Sequence, residues 1–312
     1  MHSRRSNFYS QFPNRLSLLV HLRKKTGIIC LFITIFFALH VTSATSGSEI
    51  FPIPKKLEYF EGEFNLGETT KILLPEDASE NDWFLARLLV RELADHYLLP
   101  IDIVQQNTIP YDTPFILMGT KDNNLVKNYC SEAKLTNELQ TVGEDGYILR
   151  ILDKAVVVAS LSEAGSLYGF ESLRQLIIRD ANKIKIPYIK VVDYPKLPFR
   201  GIRLYLPGRE NITFFKRFIQ DFMALYKFNK IILEVNGAMR LDNHPEINVG
   251  STEFANEMNY SRRGRPEGPG NQFQNSAHHD AGDGRILEKE EVSELVNYIR
   301  KFHIEVIPEI PS

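Results

Sequence analysis

The chain has 312 residues, 43% of them hydrophobic and 24% charged, with a formal net charge of −2. The composition is globular and excludes a disordered chain, and the length accommodates two domains of ordinary size. The balanced charge argues against a basic nucleic-acid binder and against an acidic solvating tail.

The N-terminal segment stands apart. Arg4, Arg5, Arg15, Arg23, Lys24 and Lys25 form a basic leader, and the apolar run 27–41 is short for a membrane span. Thr42-Ser43-Ala44 supply the small residues a signal peptidase needs, so 1–45 is predicted to be a signal peptide. The chain is then expected in an exported location, periplasmic or extracellular, with an uncleaved membrane anchor as the alternative. Cleavage leaves Cys130 as the one cysteine, so no internal disulfide is expected and no stable membrane span remains.

Short β-like pieces follow at Leu57–Phe60 and Thr70–Leu74. Trp83, Leu85, Leu88, Leu89, Leu93 and Tyr97 recur at helical spacing, which predicts a helix over Asn81–Leu98 with Asn81 as N-cap and Pro100 ending it. Phe115–Gly119 reads as a buried strand and Asn123–Ala133 as a second helix. Tyr147–Leu152 and Ala155–Ala159 flank the polar pair Asp153-Lys154, a β-hairpin signal. Ser162–Arg179 is helical by the spacing of Leu167, Phe170, Leu173, Leu176 and Ile177, and Ile184–Val192 is another strand. Together these predict an α+β domain over 48–193.

Beyond the proline-marked linker 193–198 the pattern becomes strand, helix, strand. Gly201–Leu206 is the first strand, and Thr213–Tyr226 a helix with Phe214, Phe218, Phe222 and Leu225 on one side. Lys230–Val235 is an apolar run broken only by Glu234, which suits a parallel strand covered on both faces. The segment 236–285 is rich in Gly, Asn, Arg and Pro, and loops of that length are functional or disordered. A helix over Glu288–Phe302 and a strand from Ile304 complete a third unit. Three β/α repeats over 194–312 predict the first units of a (β/α)8 TIM barrel, with its chemistry at the carboxyl ends of the strands. The pattern stops on a strand, so the expectation is a partial barrel with further machinery beyond Ser312.

Several segments together resemble family 20 glycoside hydrolases, the β-N-acetylhexosaminidases. Ile53-Pro54-Lys55-Lys56 resembles the family's opening, and Gly146-Tyr147-x-Leu149 leads into the hairpin as it does there. The stretch from Ala164-Gly165 through Tyr168-Gly169 to Ser172-Leu173 and Gln175 resembles the family's A-G-x-x-Y-G-x-x-(S/T)-L-x-Q helix, and its two glycines read as allowing close helix–sheet packing. Asp193-Tyr194-Pro195, Phe199-Arg200-Gly201, Lys227-Phe228-Asn229 and Val306-Ile307-Pro308-Glu309-Ile310 resemble the junction and the barrel strands.

The resemblance implies an exported glycoside hydrolase fragment. In its full-length form it would hydrolyse terminal non-reducing N-acetylhexosamine residues of glycans by a substrate-assisted retaining mechanism, without a cofactor. The substrate's 2-acetamido carbonyl attacks the anomeric carbon, an Asp orients that group, and the adjacent Glu, kept protonated by its surroundings, gives its proton to the leaving oxygen. That Asp-Glu pair is implied after a fourth barrel strand, so no catalytic residue is expected in this chain. Glu144-Asp145 and Glu76-Asp77 read as surface turns.

The expected substrate-binding residues are Arg209, Glu234 and Asn236. Arg209 aligns with the strand-1 arginine of the family only with one extra residue, and Tyr205 takes the place of its aspartate. A guanidinium at a strand end suits vicinal hydroxyls. The family's strand-2 histidines and aspartates are replaced by a stretch containing Glu234 and Asn236, which contact ligand or satisfy backbone donors; Glu309 reads as a structural carboxylate of the barrel mouth. His278-His279-Asp280 with Asp283 lacks a third ligand at a diagnostic spacing, so no metal is expected. Arg262, Arg263 and Arg265 read as a solvated loop, with anionic sugars as the alternative. The rival to a hydrolase is a non-catalytic carbohydrate-binding or degenerate hydrolase-like protein.

Overall fold

The computed structural model describes residues 50–235, 238–250 and 286–310. The expected signal peptide, Asn236 and the His278–Asp283 and Arg262–Arg265 groups lie outside the described residues. Among the described residues no helix is long and apolar enough to cross a membrane.

The first sheet collects β1 (Lys56–Leu66), β2 (Lys71–Leu74), β3 (Asp102–Gln105), β4 (Phe115–Thr120), β5 (Tyr147–Leu152), β6 (Ala155–Ser160), β7 (Ile178–Asp180) and β8 (Lys183–Asp193). Its order is β1-β8-β5-β6-β4-β2-β3, with β7 beside β8. One half is antiparallel around the β5–β6 hairpin, whose turn pairs Leu152 with Ala155; the other half, β6-β4-β2-β3, is parallel. Helices α1 (Glu80–Tyr97) and α4 (Glu163–Leu176) cover one face through Leu85, Leu89, Leu167 and Leu173. Helices α2 (Asn124–Glu132) and α3 (Thr136–Gln140) cover the other through Leu125, Val126 and Leu139. Cys130 is buried and free there.

The second sheet is parallel, in the order β11-β10-β9, with β9 spanning Gly201–Tyr205, β10 Lys230–Glu234 and β11 Glu305–Glu309. The chain passes from β9 to β10 through α5 (Ile212–Phe218), which continues as a π-helical turn over Ile219–Ala224. Helix α6 (Lys289–Arg300) precedes β11. Ile231 and Leu233 point to these helices and are buried with Ile219, Met223, Leu295 and Ile299.

Several boundaries differ from the sequence reading for identifiable reasons. The N-cap of α1 is Ser79, not Asn81: Ser79 Oγ accepts from the Asp82 N–H at 3.1 Å and Asp82 Oδ2 accepts from the Ser79 N–H at 3.0 Å, a reciprocal capping box. Helix α4 stops at Leu176 because Ile177 is extended and Ile178–Asp180 pairs with β8. The side of α5 that carries Phe214 and Phe222 is not its buried one. Phe215, Ile219, Met223 and Ala224 are buried, whereas Phe214 is 70% and Phe222 40% exposed. The helix has two apolar faces, and Phe218 and Phe222 stack on each other at 4.9 Å on the outer one.

The family-like helix α4 acts at the seam between the two sheets. An ideal Cβ on Gly169 would lie 2.3 Å from Val158 Cγ1, and one on Gly165 would lie 2.4 Å from the Gly146 carbonyl oxygen, so both glycines let the helix lie against β5 and β6. Tyr168 OH accepts from Arg200 Nη2 at 2.9 Å, and the Arg200 Nε donates to the Lys227 carbonyl at 2.7 Å. Gln175 takes the Phe51 N–H at 2.8 Å and gives a hydrogen bond to the Leu225 carbonyl at 3.3 Å. Beneath them Lys227 Nζ donates to Tyr147 OH at 2.8 Å and to Asp193 Oδ2 at 3.2 Å, and Tyr147 OH lies 2.6 Å from Ser172 Oγ. Glu171 is fully buried, with Oε2 2.9 Å from Arg174 Nη1 and Oε1 without a hydrogen-bond partner among the described residues.

Two outcomes are expected. Gly169→Ala should lower stability by about 1–3 kcal/mol in denaturant melts, because the new methyl overlaps Val158. Burial raises the Glu171 carboxyl to about 7 despite the Arg174 charge beside it. A folded-state value above the unfolded one means that its contribution is full below the ordinary carboxylate range and is lost as pH rises through about 7. The wild-type melting temperature should therefore fall more steeply between pH 5 and pH 8 than that of Glu171→Gln, with the two differing by about 2–3 kcal/mol at the alkaline end. Parallel curves would remove Glu171 as the cause.

Candidate functional site

Register fixes what stands at the carboxyl ends of the parallel strands. Glu234 on β10 is level with Tyr205 on β9 and Glu309 on β11, and Ile232 is level with Arg203 and Ile307. Side chains alternate along a strand, so these six residues share the sheet face turned away from α5 and α6. Arg203 reaches across that face. Its Nη2 donates to Glu234 Oε2 and its Nε to Glu309 Oε2, each at 2.5 Å, so one guanidinium ties together the ends of all three strands. The Tyr205 ring lies beneath it at 5.5 Å. The Glu234 side chain is 5% exposed and that of Glu309 39%. Hydrogen bonding to Glu309 and Tyr205 raises the Arg203 guanidinium above its usual range, which keeps it charged.

The rim of this site is built at the first turn of α6. Arg209, just past β9, forks onto Glu291 with Nε to Oε1 at 2.9 Å and Nη2 to Oε2 at 2.7 Å. Glu291 Oε2 also accepts from the Glu288 N–H at 2.8 Å, capping the helix, and the Arg209 hydrogen bond holds its carboxyl below the ordinary range. Arg240 forks onto Glu288 at 2.7 and 2.9 Å. Two bidentate arginine–carboxylate pairs thus sit on one helix turn.

Of the residues expected from sequence, Glu234 lies on the floor and Arg209 on the rim, while Asn236 lies outside the described residues. Glu309 joins Glu234 through Arg203. The sequence reading missed Arg203, Tyr205 as its support, and Glu291. Their partners are distant in the chain, and only the parallel register and the approach of α6 reveal them. Among the described residues no group of acidic, histidine or cysteine side chains could hold a metal ion. The arrangement can accept hydrogen bonds from hydroxyls through the second oxygens of Glu234 and Glu309, and no Asp-Glu pair stands at the end of a described parallel strand.

Comparison with known proteins follows the same division of the chain. The family described as glycosyl hydrolase family 20, domain 2, matches residues 47–194. A beta-hexosaminidase of Akkermansia muciniphila is 31% identical over 183 residues, covering 55% of this chain and 32% of that protein. A beta-hexosaminidase of Vibrio furnissii is 25% identical over 265 residues, covering 84% of this chain and 37% of that protein. The chain spans about a third of the length of these curated relatives. The solved structure of Streptomyces plicatus N-acetyl-beta-hexosaminidase in complex with Thio-NAglucal superposes with a TM-score of 0.56 at 18% identity, covering 84% of this chain and 45% of that one, which shows a shared fold.

Removing Arg203 should expose the cost of the carboxylates it holds. Arg203→Met leaves Glu234 buried beside Glu309 without a counter-ion and should lower the midpoint of chemical denaturation. The double variant Arg203→Met/Glu234→Met should recover most of that loss, since it removes the stranded charge as well. A double-mutant cycle by chemical denaturation gives the coupling directly.

Proposed function

We propose that the chain is a member of glycosyl hydrolase family 20 and the leading part of an exported glycoside hydrolase acting on N-acetylhexosamine at the ends of glycans. The observation that carries this reading is the seam helix. Gly165, Tyr168, Gly169, Ser172 and Gln175 each make a contact that locks the α+β domain or joins it to a parallel β/α sheet, and the polar residues of that sheet gather at its carboxyl ends. That is the order of parts expected for the opening units of a TIM barrel. Glu234 on the floor, Arg209 at the rim and, from the sequence, Asn236 are proposed to contact the sugar, with the two forked arginines exchanging carboxylate oxygens for hydroxyls. An exported location, periplasmic or extracellular, is proposed from the basic leader and apolar run.

Hydrolysis by the substrate-assisted retaining route needs an acid held protonated beside an Asp that orients the acetamido group. The ends of β9, β10 and β11 offer no such pair, and Glu234 and Glu309 are both tied to Arg203. Catalysis is therefore proposed for a form of the protein in which a further strand brings the pair. The Arg203 tie favours a second reading, a sugar-binding protein without hydrolysis. The 312-residue chain is expected to release no chromophore from an aryl N-acetylglucosaminide, and a form extended by the next β/α units is expected to release it. Turnover by the chain itself would overturn the placement of the acid pair, and an extended form that binds N-acetylglucosamine without turnover would select the second reading.

A further inference from the structure

The floor network has an unbalanced charge. Among the described residues one guanidinium faces two carboxylates, whereas around it Arg209 pairs with Glu291, Arg240 with Glu288 and Lys289 with Asp242. The surplus is negative, and with the Glu234 side chain 5% and that of Glu309 39% exposed, salt reaches it in part. Among the described residues, Arg203 is the one side-chain partner of Glu234 and of Glu309, and it occupies Oε2 of each, so both Oε1 atoms remain as acceptors. Hydroxyls and ammonium groups satisfy such acceptors, whereas sulfate and carboxylate bring only further acceptors. The Nε and Nη2 atoms of Arg203, which would otherwise attract an anion, are already spent on the glutamates.

We propose that the Arg203–Glu234–Glu309 network is a charge filter that admits neutral hexosamine derivatives and rejects those carrying sulfate or carboxylate. The proposal rests on the reading of this face as a sugar site. It makes Glu234 and Glu309 the acceptors and Arg203 the residue that sets how negative the floor is. An anionic substituent within about 6–8 Å of one uncompensated carboxylate, at the effective dielectric of a protein surface, weakens binding about tenfold or more.

The test measures binding of N-acetylglucosamine and of N-acetylglucosamine 6-sulfate to the full chain by calorimetry or ligand-observed NMR, and reads the ratio of their dissociation constants. The wild type should bind the sulfated sugar about tenfold more weakly. Glu234→Gln, which neutralises the floor, should bring the ratio toward one, and Arg203→Met, which adds a unit of negative charge, should raise it. Higher ionic strength should narrow the ratio in the wild type. Equal or tighter binding of the sulfated sugar by the wild type would overturn the filter and leave the sugar site standing. A ratio that ignores Glu234→Gln and salt would mean steric exclusion and would also overturn it. Failure of the wild type to bind either sugar would overturn the filter and the sugar site together. If Arg203→Met does not fold, Glu234→Gln and the salt series decide.

Discussion

Lys227 reaches back from the turn before β10 to Asp193, the last residue of β8, and both charges are nearly closed off from water under Tyr147. Burial pulls the lysine's affinity for its proton down and Asp193 pulls it back up. Taking two charges out of water costs several kcal/mol per ion in real proteins, so such a pair persists only where geometry and further hydrogen bonds compensate. Here they do. Tyr147 accepts from Lys227 and contacts Ser172 on α4, and Asp193 Oδ1 accepts from the Lys55 N–H at 3.2 Å. Five segments meet at one point, and their contacts mark where the second sheet docks on the first. The apolar contacts around the seam supply adhesion, while the ion pair supplies the address.

The orientation of the candidate site follows from that address. Asn229, two residues beyond Lys227, accepts from the Arg200 N–H through its side chain at 2.9 Å, and its carbonyl accepts from the Glu305 N–H at 2.9 Å. The amino ends of β9, β10 and β11 are therefore set level at the seam. Five-residue parallel strands that start level also end level, which is why Tyr205, Glu234 and Glu309 share a row and why one arginine can touch both glutamates. The π-helical turn between α5 and the Lys227 turn belongs to the same geometry. A wider turn, bonded i to i+5, shifts the phase of the residues after it. Phe222 stays stacked on Phe218 while Leu225 offers its carbonyl to Gln175 and Lys227 faces inward.

Much of the first sheet was legible because its signals are local. The β5–β6 hairpin, the short α2 and the spacing in α4 each depend on residues within one or two turns of each other. What escaped was set by distant partners. β3 is four residues long and half-exposed, so it carries no periodicity, and it becomes a strand only by pairing with β2. The Ile178–Asp180 stretch continues the helical pattern of α4 until β8 offers it an edge. In the site, Glu234 stood out because it broke an apolar run, and Arg209 because the family resemblance pointed to it. Arg203 gave no such sign, since its two partners lie 31 and 106 positions away. Arg209 itself could be named but not placed, because its fork with Glu291 depends on where α6 lands.

Polar groups at the carboxyl end of a parallel sheet face a constraint that the interior does not. They must be present for a ligand and yet must not be stranded without one. This chain meets the constraint with arginine–carboxylate forks that hold each other in the unliganded state. A fork fixes a planar group in two directions, so Glu291 and Glu288 keep one orientation at little entropic cost to the arginines. The same forks raise the barrier to use, because a hydroxyl of the proposed sugar ligand would have to offer a carboxylate at least what the guanidinium already gives it. A site of this kind gains specificity at the expense of affinity: only a ligand that satisfies both the freed carboxylate and the freed guanidinium can open it. Vicinal hydroxyls, each both donor and acceptor, meet that condition, and an anion, which is acceptor alone, meets half of it.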